Sequence, residues 1–276
     1  MKDILAKPFL RWAGGKNWLV KQLCNYLPTS GFNDYHEPFI GGASVFFSLK
    51  PKKAYLSDLN GELIETYQQI RDNVENVIEV LRAFENTEEY YYKIRETTFT
   101  EAESRAARFI YLNQTSFNGI YRVNLKGVYN VPYGYRSKDF CDKKLLRQAS
   151  EVLKHSTLFN GDFYETIKNV KPNDLVFLDP PYTVTHNNNG FIKYNKNLFD
   201  LDSQLRLSKY LDEINSIGAS YILTNAAHQD IIAIFQKDNN TIKTVDRVSL
   251  VGGKNAQRGR YAELIITNIP SIGQLN

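Results

Sequence analysis

Short runs of apolar, β-branched or aromatic residues punctuate the chain at 35–42 (YHEPFIGG), 53–58 (KAYLSD), 157–162 (TLFNGD), 174–181 (DLVFLDPP), 219–225 (ASYILTN) and 261–268 (YAELIITN). Turn residues bound them, and most lack polar alternation, which marks strands covered on both faces. Between several of them apolar positions recur at helical spacing. The stretch LDSQLRLSKYLDEINSIG, 201–218, opens with an acidic first turn and closes on Gly218, a favoured helix stop. Strands alternating with helices predict an α/β fold built on a doubly wound, mostly parallel, Rossmann-like sheet. Roughly one hundred residues separate the second and third runs, far more than a crossover connection needs. The pattern therefore predicts a core domain from 1–60 and 151–276, interrupted by an inserted, mainly helical domain at 61–150.

Charge sharpens this division. From Glu62 to Glu103 there are 4 Lys/Arg against 11 Asp/Glu, and from Ser104 to Ser150 there are 9 against 2. The acidic part has helical spacing and reads as one or two amphipathic helices with a solvated acidic face. The basic part interleaves its charges with Tyr111, Phe117, Tyr121, Tyr129, Tyr133, Tyr135 and four asparagines. That mixture suits a nucleic-acid surface, where cations meet phosphates while amides and aromatics meet bases; an ordinary basic helical subdomain has the same composition. With 42% hydrophobic residues among 276, the chain can bury a large core. No run of about 18 apolar residues appears, and MKDILAKPFLRWAGGK has no signal-peptide pattern, so a cytoplasmic protein without membrane contact is expected. Cys24 and Cys141 stand alone, which supports neither a disulfide scaffold nor a metal site.

Four stretches carry candidate chemistry. In HEPFIGGASVFF, 36–47, Glu37 ends a strand and Gly41 and Gly42 form a tight turn before a helix, the place where open α/β sheets meet ligands. The spacing is not that of a dinucleotide fingerprint. In KAYLSDLN, Asp58 ends the next strand and is placed either to accept the hydroxyl protons of a ribose or to N-cap the helix after it. The GGK of FLRWAGGKNWLV lacks the phosphate-loop frame; Trp12 and Lys16 could instead clamp a cofactor, indole on adenine or sulfonium and ammonium on carboxylate. In LDPPYT, two prolines force the chain out of the sheet directly after Asp179, and Tyr182 follows. An acid, a carbonyl and an aromatic ring held side by side fit a flat ligand with an exocyclic amino group.

In this order, RWAGGK, EPFIGGASVF, SDLN, NGDF and DPPY, with NLKGVYNVPYG inside the insertion, resemble the Dam-like (D12 class) family of S-adenosylmethionine-dependent DNA adenine N6-methyltransferases. The resemblance spans nearly the whole chain. It implies that 1–60 and 151–276 form the catalytic, cofactor-binding domain and that 61–150 recognises the DNA target. It also implies that Trp12, Lys16, Asp58 and Asp179 contact S-adenosylmethionine, that Glu37, Phe39 and Gly41 shape the first turn, and that Asp162 and Phe163 flank the cofactor's adenine. Asp179, Pro180, Pro181 and Tyr182 would form the pocket for a flipped target adenine. Tyr121, Arg122, Asn124, Lys126 and Pro132 fall in a segment that contacts DNA in the family.

The expected reaction is methylation of adenine N6 within a short site of double-stranded DNA. Two acceptors and a stacking ring would also suit an RNA adenine, a cytosine N4 amine or a glutamine amide, and a catalytically inactive DNA-binding regulator could share the fold. Lys254, Arg258 and Arg260, in the glycine-rich loop 251–260, are placed either to grip phosphates or merely to solvate a hairpin. The loop 183–195, variable in the family, leaves the recognised sequence open. A monomer or weak dimer is expected, with a restriction endonuclease as companion if the chain is half of a restriction-modification pair.

Overall fold

The apolar runs become strands that stop where a polar residue, glycine or proline interrupts pairing. These are β1 (Tyr35–Glu37), β2 (Ala54–Asp58), β3 (Ser156–Asn160), β4 (Leu175–Leu178), β5 (Ser220–Ala226), β6 (Thr241–Val248) and β7 (Arg260–Thr267). A computed structural model describes residues 6–124, 127–182, 199–248 and 260–270, with backbone only at 247, 248, 260 and 261. The fold is mixed α/β with a seven-strand, mostly parallel sheet. β6 was not expected. Its sequence TIKTVDRV intersperses charges among the apolar positions, as suits an outermost strand paired only with β7. No described helix is long and apolar enough to cross a membrane.

Two compact units divide the chain. The first comprises Met1–Val20 and Ile40–Gly161. Within it β2 and β3 pair in parallel along their full length, from Ala54↔Ser156 to Asp58↔Asn160. The acidic stretch forms three helices, α3 (Gly61–Asp72), α4 (Val74–Arg82) and α5 (Glu88–Glu96); α1 (Asn17–Val20) and α2 (Ser44–Leu49) precede them, and α6 (Ala102–Thr115) and α7 (Lys143–Leu153) follow. Asn60 caps α3 by accepting the Leu63 N–H, and Asp142 caps α7 in the same way. Leu63, Ile64, Tyr67 and Ile70 give α3 one buried face, and α3 packs on β2, β3, α6 and α7. The helices of 61–150 share their apolar core with β2 and β3, and the compact units divide the chain at 20/21, 39/40 and 161/162.

The second unit comprises Lys21–Phe39 and Asp162–Asn276. Here β1, β4 and β5 are parallel, while β7 runs antiparallel to β5 and to β6. The helix expected at 201–218 is α8 (Leu201–Ile217), capped by Asp200 and stopped by Gly218 at φ 84°. Its Leu207, Tyr210, Leu211 and Ile214 pack with Val176, Leu178, Tyr221, Leu223, Leu264 and Ile266 of the strands and with Ile231 and Phe235 of α9 (Gln229–Phe235). Each such side chain contributes about 1.5–3 kcal/mol by leaving water.

One buried carboxylate locks the start of β4 to β1. Asp174, 1% exposed, accepts the backbone N–H of Asp34 at 3.0 Å and of Lys171 at 2.9 Å, and lies 2.8 Å from His36 Nε2. Removing it strips the acceptor from three donors at once. Asp174→Ala is expected to cost about 3–5 kcal/mol of stability in urea or thermal unfolding. Asp174→Asn, which keeps one acceptor oxygen, should cost less.

Candidate functional site

In the first unit, Asp58 stands at the carboxyl end of β2. Its carboxylate accepts the Gly41 N–H at 3.2 Å and the Asn60 N–H at 3.0 Å. The helix after it is capped by Asn60, so the N-cap reading of Asp58 is set aside. Burial pushes the Asp58 carboxyl above its ordinary pKa, while backbone donors from Asn60, Gly41 and Leu59 pull it back. Gly41 has φ +42°, and the Tyr67 hydroxyl donates to its carbonyl at 2.9 Å. A Cβ on Gly41 would lie 2.8 Å from Trp12 Cδ1 and Nε1, and one on Gly42 would lie 2.9 Å from Trp12 Cβ. Paired glycines are thus what lets Trp12 settle on this backbone. Lys16 is 3% exposed, and its ammonium donates to the Gly14 carbonyl at 2.9 Å, folding the side chain over the glycine turn.

The basic segment of the same unit corrects the composition argument in two ways. Tyr111, Tyr129 and Tyr133 are core residues, and Tyr111 and Tyr133 donate their hydroxyls to the carbonyls of Glu85 and Asn86. Broad aromatic exposure falls instead to Phe117, at 54%, and Tyr135, at 72%. Much of the charge split is internal: Arg105 grips Glu65 through two hydrogen bonds, Arg147 grips Glu75 likewise, and Arg108 donates to the carbonyls of Ile94 and Arg95.

Among the residues assigned to DNA, Tyr121 stacks on Trp12 (5.6 Å between ring centroids, 17° between planes) and on Phe109 (5.3 Å, 28°), and its hydroxyl donates to Glu62 at 2.9 Å. Arg122 donates to Asn130 Oδ1 at 2.9 Å. Asn124 accepts the Val128 N–H through its side chain and closes a small turn. The carbonyl of Pro132 accepts the Phe117 N–H at 2.9 Å, and the Gly134 N–H returns to the Thr115 carbonyl at 2.9 Å. Lys126 lies outside the described residues.

In the second unit, Glu37 accepts the Tyr35 hydroxyl at 2.8 Å, and Phe39 packs on Phe163 with ring centroids 5.2 Å apart. Asp162 caps the 3-10 turn Phe163–Asn169 and accepts Arg206 at 2.8 Å, while the Arg206 guanidinium sits 5.2 Å over the Phe163 ring. Asp179 follows β4 directly. Its carboxylate accepts the Thr224 hydroxyl at 2.8 Å, Pro180 is buried, and the Tyr182 hydroxyl donates to Glu263 at 3.0 Å. Sequence reasoning singled out neither Arg206, Thr224 nor Glu263. The signals were a polar Thr-Asn pair closing the apolar YIL and an acid inside the apolar strand YAELIIT. Lys254, Arg258 and the loop 183–195 lie outside the described residues; Arg260 opens β7 through its backbone.

Residues 12–250 match the model of the D12 class N6 adenine-specific DNA methyltransferases. The chain belongs to that family. It is 36% identical over 274 residues, covering 95% of each chain, to the Type II methyltransferase M1.LlaDCHI of Lactococcus lactis subsp. cremoris. It is 34% identical over 286 residues to the Type II methyltransferase M.MjaIII of Methanocaldococcus jannaschii, covering 95% of this chain and 99% of that one. Against a DNA adenine methylase of Vibrio cholerae the identity is 31% over 226 residues, with 79% and 81% covered. The protein is an adenine-specific DNA methyltransferase whose methyl donor is S-adenosylmethionine.

The donor set of the first unit fits that cofactor chemically. A carboxylate at a strand end suits hydroxyl donors, a buried ammonium suits a carboxylate, an indole suits a cation or a flat ring, and the glycine backbone permits close approach. In the methyltransferase, residues 116–117 are held by backbone pairing with 132–134. A Cβ on Gly134 would fall 2.5 Å from the Ser116 backbone. Gly134→Ala is therefore expected to destabilise the methyltransferase by about 1–3 kcal/mol, as read by thermal or urea unfolding.

Proposed function

We propose that Asp179, Pro180, Pro181 and Tyr182 hold the adenine that receives the methyl group, within a short duplex sequence. The observation that carries this reading is the anchored carboxylate: Asp179 leaves β4 already hydrogen-bonded to Thr224, with a proline directly behind it. An exocyclic aromatic amine is a poor nucleophile because its lone pair is delocalised into the ring. The Asp179 carboxylate and the Pro180 carbonyl accept the two amino protons, which favours a pyramidal nitrogen with its lone pair directed away from both. Tyr182 stacks on the extruded base and offsets part of the few kcal/mol lost on unstacking. S-adenosylmethionine supplies an electrophilic sulfonium methyl; positioning by the protein accounts for much of the acceleration.

For the cofactor, Asp58 takes the ribose hydroxyls, Lys16 the carboxylate, and Trp12 a flat or cationic face, with Gly41 opening the backbone. Asp162 and Phe163 flank the adenine, Phe39 backs Phe163, and Glu37 fixes the first turn. Asp179 borders the methionine end. For DNA, Tyr121, Arg122, Asn124, Lys126 and Pro132 supply the contacts, joined by Lys254, Arg258 and Arg260 on phosphates. Exposed Phe117 adds a stacking surface. The chain works in the cytoplasm. The Type II names of two relatives support its being the modification half of a restriction-modification pair, with an endonuclease as companion.

Mapping N6-methyladenine in genomic DNA from cells with and without the gene tests the reading. The modified base is expected at one short motif, and its absence from DNA would overturn the proposal. Asp179→Ala should abolish transfer, a loss of at least about a thousandfold. Asp58 gives a pH signature. Because burial raises its pKa, its contribution to folding is present below the ordinary carboxylate pKa and lost as pH rises through the raised value. Accepting hydroxyl protons needs the ionised form, so cofactor affinity should fall as pH drops through that same raised value. Asp58→Asn should bind S-adenosylmethionine roughly tenfold or more weakly, with little pH dependence in this range, as read by calorimetry.

A further inference from the structure

We infer that Thr224 and Glu263 are positioning residues for methyl transfer, Thr224 fixing the carboxylate of Asp179 and Glu263 fixing the ring of Tyr182. The inference rests on the reading of 179–182 as the adenine pocket. A carboxylate turns about its last torsion with little preference, since that torsion joins a tetrahedral to a planar centre. An acceptor that must meet one amino proton at a set angle therefore needs a bond from outside the residue.

Thr224 provides it. Leu178 and Leu223 are paired in the β4–β5 ladder, and Thr224 is the next residue along β5, beside the point where β4 gives way to Asp179. Its hydroxyl lies 2.8 Å from Asp179 Oδ1 and 3.4 Å from the Leu178 carbonyl, so its single proton goes to the carboxylate. The residue is fully buried, which keeps water from competing for that proton.

Glu263 reaches the same edge by a different route. Parallel strands deliver their last residues to the carboxyl edge, but β7 is antiparallel to β5, so one of its early residues arrives there. In the register, Glu263 faces Ala226 and Ile265 faces Thr224. Glu263 is 3% exposed, costly for a carboxylate unless it serves as an acceptor, and it accepts the Tyr182 hydroxyl at 3.0 Å. That bond tethers the far end of the ring and sets the plane on which a base can stack. An apolar residue at 263 would satisfy the strand equally well and remove that bond.

The test follows transfer of labelled methyl from S-adenosylmethionine into unmethylated bacterial genomic DNA, with circular dichroism on each variant. Thr224→Val keeps the shape and removes the donor; kcat should fall about 10- to 100-fold, with KM for S-adenosylmethionine within about twofold of wild type. Thr224→Ser, which keeps the hydroxyl, should restore most of kcat and decides the matter if valine unfolds the chain. Glu263→Gln should retain most activity through its amide oxygen, whereas Glu263→Leu should lose about as much as Tyr182→Phe, and combining those two should add little. Wild-type kcat in Thr224→Val and Glu263→Leu, or a Thr224→Ser variant as slow as Thr224→Val, overturns the inference. Asp179→Ala separates the two levels: if it still transfers methyl, the pocket reading falls; if it is dead while the Thr224 and Glu263 variants run at wild-type speed, only the positioning roles fall.

Discussion

A carboxylate left at the edge of a buried strand has to be given donors, and each unit of this methyltransferase meets that constraint with its neighbours in the fold. In the first unit, Asp58 at the end of β2 takes backbone N–H groups from Gly41 and Asn60. In the second, Asp179 after β4 takes the Thr224 hydroxyl, and Asp174 before β4 takes the Asp34 and Lys171 backbone. Backbone N–H groups hold both Asp58 and Asp174, so what separates the three carboxylates is their place along the strands. Asp174 is enclosed by its donors and serves the fold, whereas Asp58 and Asp179 stand at strand ends where a ligand can also bring protons.

The aromatic and charged residues of the segment after α5 show how far composition can mislead about a surface. Arginines that look suited to phosphates are held in place by the acidic helices beside them, in the bidentate pairs Arg105–Glu65 and Arg147–Glu75. Exposed pairs of this kind add little stability, but they fix guanidinium geometry and remove those charges from the outward field. Tyrosines that look suited to bases close the core and cap carbonyls. What faces outward includes Phe117, Tyr135, Lys138, Lys143 and Lys144, while Arg122 and Asn124 have local partners.

Most strands and the main helix of the second unit were legible because buried parallel strands and an amphipathic helix with a glycine stop leave clear periodic signals. The end of β4 at Leu178 was legible because two prolines after an acid serve no strand. β6 was not, since an outermost strand keeps charges on its solvent side. The compact units were not legible either. Charge and loop length mark 61–150, but the division follows packing, and α3 covers β2 and β3 with the same face that meets α6 and α7. The expected roles of Asp58 could not be separated by sequence, because an acid two residues before a helix looks the same whether it caps or not. Asn60 takes the cap, which removes that one reading.

Thr224 and Glu263 were illegible for a different reason. Each is ordinary in its own strand, a threonine at the end of an apolar run and one acid among apolar residues. Their meaning lies in register: Thr224 matters because it follows the partner of Leu178, and Glu263 because it sits opposite Ala226. Register is a property of pairs, and a single strand does not reveal its partner or direction. The antiparallel turn of β7 is what converts an acid near the start of a strand into a group at the edge where the parallel strands finish. A parallel β7 would carry Glu263 to the opposite edge, away from Tyr182, so the Tyr182–Glu263 bond and the reversal of strand direction beside β5 are parts of the same arrangement.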